Sequence, residues 1–191
     1  MISAHPKPKF PRAAALAVAR ELVAPLRAIT EPNRLICAGS LRRRKDRVGD
    51  VELLYIPRLV SEPDGLFDTR QVSLVDHLLD ELVRAGVLAK RLNTLGSEIW
   101  GEKNKLAVHV ASGIPVDFFA ASEANWFNYL VCRTGSAENN VRIASAAKAK
   151  GWQWNPYGAG FTDQSGTVVP VRSEREVFDL VGLDYLEPWE R

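Results

Sequence analysis

Apolar residues recur at helical spacing through residues 11–28 (PRAAALAVARELVAPLRA), placing Leu16, Ala19, Leu22, Val23 and Leu26 on one side of a helix. Pro11 suits its first turn, where a missing N–H costs nothing. Asn33 to Ala38 is short and apolar, Gly39-Ser40 interrupts it, and the basic stretch LRRRKDR runs on toward Gly49. That order predicts strand, turn and short helix. The segment DVELLYI then alternates acids with apolar residues before becoming continuously apolar, as a buried strand with a polar lip does. Period two puts Asp50 and Glu52 on one face of that strand.

Residues 57–70 carry two prolines and an Asp-Gly turn signal, which predicts an exposed loop. Helical periodicity resumes in SLVDHLLDELVRAG, with Leu74, Leu78 and Leu82 in the apolar stripe, Ser73 as cap and Gly86 as terminator. Strand-like stretches follow at 87–95 and 104–111. Ser112-Gly113 then turns the chain into IPVDFFAA, so a hairpin ends in a third acid, Asp117. From about residue 124 the pattern is helix, Thr134-Gly135-Ser136 break, helix, short aromatic and Gly-rich strands, and a capped helix from Ser173. The class is therefore α+β, with one unit over 1–123 and a smaller one over 124–191. No internal repeat is present.

The 191 residues hold 46% hydrophobic and 25% charged positions, ordinary globular usage that argues against a disordered or low-complexity chain. No apolar run is long enough to span a bilayer, and the basic start has no apolar core or cleavage site behind it; the expectation is a soluble, cytoplasmic protein without a secretory signal. Cys37 and Cys132 form no CxxC pair, so both are expected reduced, with Cys37 buried in its strand. A net charge of +2 does not by itself indicate nucleic acid, although clustering of the same charges can. His5, His77 and His109 match no ligand spacing, and GxxxxGK[ST], HExxH and GxSxG are absent.

The chemistry concentrates in GSLRRRKDRVGDVE, residues 39–52. Gly39 permits close backbone approach, the start of a short helix presents N–H groups, and Ser40 adds a hydroxyl donor; together they suit a polyphosphate. Arg43 adds a forked contact to phosphate oxygens, and Asp50 and Glu52 stand ready for magnesium beside it. Paired cations about 3.5–4 Å apart activate an attacking hydroxyl and neutralise a leaving pyrophosphate, which calls for a further carboxylate. Asp117 is the candidate. Taken singly, a GS turn is ordinarily a turn and RRRK a solvated face; the joint spacing is what carries the reading.

GSLRRRKDRVGDVELL resembles the nucleotidyltransferase signature of family X DNA polymerases, in which GS-x-RR and an acid-x-acid pair occur at this spacing. VDFF at 116–119 resembles the third acidic strand, TGS at 134–136 with Asn140 lies at the family's distance from it, and SEREVFDLVGLDYLEPWER resembles the end of the thumb. The likeness runs from about residue 9 to 191. It implies a nucleotidyltransferase palm with a mixed sheet, residues 1–123, and a small α/β thumb, 124–191. Two magnesium ions, with manganese as the alternative, would be held by Asp50, Glu52 and Asp117. Ser40, Arg43 and Gly49 would contact a nucleoside triphosphate beside Gly39, Thr134 and Gly135 would meet the sugar, and Asn140 would reach the minor-groove side.

The pattern also has departures. Glu52 stands where the family commonly has Asp, Cys132-Arg133 replaces a Tyr-Phe pair, Ala144 replaces a template-contacting arginine, and Pro115 occupies a place where many relatives carry a basic residue. The resemblance begins at the first palm helix, so the expected layout is the truncated one of minimal viral members, lacking lyase and fingers domains. DNA would then be gripped by Arg42, Arg44, Lys45, Lys103, Lys105, Arg142, Lys148 and Lys150, with about half of such charges alternatively mere solvated surface. Trp152, Trp154 and Tyr157 read as thumb core, with stacking on a template base as the alternative. The expected activity is template-directed DNA synthesis by a monomer, with short-gap filling in DNA repair as its setting; template-independent nucleotidyl transfer and non-catalytic DNA-end binding are the rivals.

Overall fold

The computed structural model describes residues 8–65 and 68–191; His5 lies outside them. A short strand β1 (Phe10–Pro11) leads into α1 (Arg12–Leu26), then β2 (Thr30–Cys37), α2 (Gly39–Arg42), β3 (Arg47–Val48) and β4 (Val51–Pro57). Next come β5 (Leu59–Asp64), β6 (Asp68–Ser73), α3 (Leu74–Arg84), β7 (Leu88–Lys90), β8 (Asn104–His109) and β9 (Ile114–Ala120). The second unit holds α4 (Trp126–Thr134), α5 (Ala137–Ala149), β10 (Gln153–Trp154), β11 (Gly160–Thr162), β12 (Val168–Pro170) and α6 (Glu174–Asp179).

The main sheet has the order β2-β4-β9-β8-β7, with β4 and β9 parallel and the remaining pairs antiparallel. Alternation along the strands separates its two faces. Leu53, Tyr55, Val116 and Phe118 turn toward α1 and α3, where Leu22, Leu26, Val75 and Leu79 complete the larger core. Leu54 and Phe119 turn the other way and meet Trp126, Tyr129 and Leu130 of α4. The acids of β4 and β9 share this second face. Beyond α4, a three-stranded antiparallel sheet β10-β11-β12 packs with α5 and α6 around Val131, Ile143, Phe161, Val177 and Phe178.

Three local expectations change. Residues 57–70 are not a loop throughout: β5 and β6 pair from Leu59↔Ser73 to Asp64↔Asp68, and the Asp-Gly signal marks the hairpin's tip, with Gly65 at φ +78°. Most of the hairpin is exposed, so its strands carry no apolar alternation, and backbone pairing alone defines them. In α3 the stripe centres on Val75 and Leu79, with Leu78 and Leu82 packed behind, and Ser73 Oγ accepts from the Asp76 N–H as a cap. The stretch from 87 stops as strand at Lys90, because Asn93 Oδ1 accepts from the N–H groups of Leu95 and Ser97 and folds the chain into a tight turn. Cys37 lies in its strand as expected, partly buried, and burial pushes its thiol up to about 11.

Candidate active site

Glu52 and Asp117 stand opposite each other in the parallel register of β4 and β9, so both carboxylates rise from the same face of the sheet. Asp50 lies just before β4, two residues from Glu52, and alternation turns it the same way. Two adjacent strands thus bring Asp117, from a distant part of the chain, beside the Asp50 and Glu52 pair.

Beside them opens a cleft of about 450 Å³ lined by Lys9, Ser40, Arg43, Lys45, Arg47, Gly49, Asp50 and Glu52. Ser40 and Arg43, expected from the residues themselves, and Gly49, implied by the resemblance, meet there. Gly39 is buried at φ +57°, and a Cβ on it would overlap the Glu52 carboxylate, so the bare backbone lets Glu52 lie against α2. Lys9 and Arg47 add positive charge that spacing did not reveal. They meet because β1 pairs with β3, and Arg47 Nη2 donates to the Lys9 carbonyl at 2.6 Å. Strands of two residues leave no periodic signal.

Burial, reinforced by the neighbouring Asp50 charge, pushes the Glu52 carboxyl up to about 8. Asp117 is also raised by burial, against the opposing hydrogen bond and charge of Arg91. Arg91 Nη2 donates directly to Asp117 Oδ1. Arg133 lies over the Phe119 ring at 3.6 Å and its charge acts on both Glu52 and Asp117. Among the described residues no three His, Cys, Asp or Glu side chains are gathered closely enough to hold a metal ion as they stand. The donor chemistry nevertheless suits a hard cation: burial together with the neighbouring Asp50 charge raises both Glu52 and Asp117, a penalty that divalent charge relieves.

The junction between α4 and α5 meets this cleft. Gly135, at φ +69°, sits so close to Arg43 that a Cβ would fall 2.8 Å from Nη1, and Arg43 Nη1 donates to the Thr134 carbonyl. Thr134 is fully buried, its Oγ1 accepting from Arg42 Nη1 at 2.7 Å. Asn140 Nδ2 donates to the Cys132 carbonyl at 2.9 Å. Thr134, Gly135 and Arg43 are therefore one contact set, with Asn140 a turn beyond on α5.

A second cleft, of about 520 Å³, is lined by Lys103, Asn104, Ser122, Asn125, Tyr129, Arg133 and Tyr157. Tyr157, 58% exposed, is not thumb core; Trp154 is, and Trp152 packs partly buried against it. Two of the basic residues expected at DNA are placed elsewhere. Lys105 is buried on the opposite face of the sheet, bridging Asp76 at 2.8 Å, because its strand position alternates with that of Asn104 and Leu106. Arg42 is committed inside the protein to Glu174 and Thr134. Arg44, Lys45, Lys103, Lys148 and Lys150 remain exposed, and Arg142 is partly so. Of these, Arg44 stacks on Trp189 at 3.9 Å and Lys150 on Trp152 at 3.8 Å.

A mixed sheet with paired acids, a basic cleft at its edge and an appended unit of helices and a small sheet define a palm-and-thumb protein. Residues 9–109 match the DNA polymerase beta palm family and residues 129–191 the DNA polymerase beta thumb family. The chain belongs to the DNA polymerase beta family, family X. It is 30% identical over 171 residues to DNA polymerase lambda of Rattus norvegicus, covering 82% of this chain, and 28% identical over 182 residues to the DNA polymerase/3'-5' exonuclease PolX of Bacillus subtilis (strain 168), covering 94%. It spans 28% of the length of each of these relatives. In fold it is similar to polymerase beta of Leishmania infantum in a ternary P/T complex, with a TM-score of 0.70 at 20% identity over 96% of this chain and 77% of that one. No described helix is long and apolar enough to cross a membrane.

Proposed function

We propose that the protein is a template-directed DNA polymerase that adds deoxynucleotides to a primer 3′-hydroxyl, with filling of short gaps in DNA repair as its setting. The observation that carries this reading is the pairing of Glu52 with Asp117 across β4 and β9, beside the cleft lined by Ser40, Arg43 and Gly49. In that cleft the triphosphate lies among Lys9, Arg43, Lys45 and Arg47, whose charges offset its own. Asp50, Glu52 and Asp117 would hold magnesium or manganese, which would supply a Lewis acid for the attacking hydroxyl and the leaving pyrophosphate. Gly135 and Thr134 present backbone to the sugar, Asn140 stands toward the minor groove, and Arg44, Lys45, Lys103, Arg142, Lys148 and Lys150 meet DNA phosphates. The relatives named as DNA polymerases support the same assignment.

Primer extension on gapped and open templates, with each nucleotide supplied singly, tests the reading. Incorporation that follows the template, and is lost in Asp117→Asn with DNA affinity kept, is the expected result. Incorporation indifferent to template would instead make the protein a template-independent nucleotidyltransferase. DNA binding with no incorporation by the parental protein would make it an end-binding module.

A further inference from the structure

We propose that Arg91 is the positioning residue for Asp117, supplying from the far side of β8 the charge that Pro115 cannot provide. The inference rests on the polymerase reading above and names a part of its machinery that neither spacing nor resemblance indicated. Sheet register makes the case. Lys90 pairs with Ala107, and the Arg91 N–H donates to the Leu106 carbonyl at 3.0 Å, so Arg91 stands level with Leu106. Leu106 pairs with Asp117, and Asp117 with Glu52. One row across the sheet therefore reads Arg91, Leu106, Asp117, Glu52, and the long arginine side chain reaches past Leu106 to place Nη2 on Asp117 Oδ1.

The arginine is held firmly from behind. Lys90 bridges Glu98 at 2.9 Å, Leu92 bridges Glu98 through the backbone, and the Trp100 indole donates to Asp80 at 2.7 Å, so the turn that follows β7 is fastened at several points. The ion pair is mostly buried, with side chains 25% and 13% exposed. Arg91 Nε is buried without an acceptor, so that donor is not shared with the turn. A planar guanidinium on Oδ1 restricts rotation of the carboxylate and leaves Oδ2 for a cation and the primer hydroxyl, an orientation that a lysine point charge does not impose. At position 115, on Asp117's own strand, proline offers no charge.

The test uses Arg91→Met and Arg91→Lys in the full chain, reading single-turnover primer extension and, separately, Mn2+ binding by loss of the free-ion electron paramagnetic resonance signal without DNA or nucleotide. A misplaced catalytic group costs up to about a hundredfold, so Arg91→Met is expected to slow extension by about tenfold to a hundredfold, with the nucleotide concentration for half-saturation changed by less than about twofold. Ion binding is expected to stay equal or tighten, because a competing cation has been removed. Arg91→Lys should return ion binding to the parental value while recovering only part of the extension rate. Weaker Mn2+ binding together with slow extension would mean that Arg91 merely supports the architecture, and parental extension in Arg91→Met would remove any positioning role; either overturns the proposal. Failure of the parental protein to extend primers would overturn the polymerase reading itself.

Discussion

The guanidinium of Arg42, on the palm, clasps the carboxylate of Glu174 on the thumb, Nη1 to Oε2 at 2.8 Å and Nη2 to Oε1 at 2.5 Å. Arg191 completes the arrangement from the other side, Nη1 to Oε2 at 2.9 Å, with its side chain fully buried. Arg42 also holds Thr134 Oγ1, so one side chain links α2, the end of α4 and α6. The basic stretch after Gly39-Ser40 thus divides its labour. Arg43 and Lys45 face the cleft, Arg42 closes the two units on each other, and Arg44 stacks on Trp189.

Removing the shared carboxylate leaves two arginines without their partner, one of them wholly buried. Breaking a buried pair from one side costs about 3–5 kcal/mol, and that is the expected loss in Glu174→Ala, against about 2 kcal/mol in Arg42→Ala, where Arg191 still satisfies Glu174. Burial raises the Glu174 pKa, but the hydrogen bond and charge of Arg42, with Arg191, outweigh it and hold it below 4.5. The contribution is therefore present above that pH and lost on acidification through the folded-state value. Urea titrations of the two variants at neutral pH check the order.

Gly39→Ala places a methyl group inside the Glu52 carboxylate and forces alanine to φ +57°. Glu52 must move, and nucleotide transfer is expected to fall by about tenfold or more, since a small displacement of a reacting group is costly. Gly49→Ala lines the same cleft, but nothing lies within 4 Å of its added Cβ and its φ is not positive. It should retain most of the rate. Equal rates in the two variants would contradict the close approach at Gly39.

What the sequence disclosed follows from where the physics is periodic. β4 and β9 carry apolar runs that only buried strands need, and the acid-x-acid lip at Asp50 and Glu52 was legible within one of them. The pairing of Glu52 with Asp117 required knowing that β9 adds in parallel beside β4, which strand pattern suggests but does not fix. Lys105 shows the complementary failure: a lysine beside Asn104 reads as surface, yet register turns it inward onto Asp76. Arg91 carried no signal at all. It belongs to an irregular turn, and its partner is set by sheet register rather than spacing.

The acids predict an unusual pH dependence. Glu52 binds its proton more tightly in the folded chain than in the unfolded one, so its contribution to stability is complete below pH 4.5 and is lost as pH rises toward about 8. In chelator, the thermal midpoint should fall across that window. Magnesium binds the ionised carboxylates, so it should raise the midpoint more at pH 8 than at pH 5. A magnesium shift independent of pH would mean that the ion binds elsewhere.

Lys103 and Lys105 are two residues apart and should behave oppositely. Lys103 is exposed beside the second cleft, whereas Lys105 is 3% exposed and bridges Asp76 from beneath the sheet. Each phosphate contact contributes roughly 0.9 to the slope of log affinity against log salt, so Lys103→Ala should weaken DNA binding and flatten that slope by about one unit, leaving the melting temperature unchanged. Lys105→Ala should keep the slope and instead destabilise the protein by about 2–4 kcal/mol, because Asp76 loses its buried partner. Fluorescence anisotropy over a salt series, paired with thermal melts, distinguishes the two. A flattened slope in Lys105→Ala would mean that β8 presents its other face to DNA.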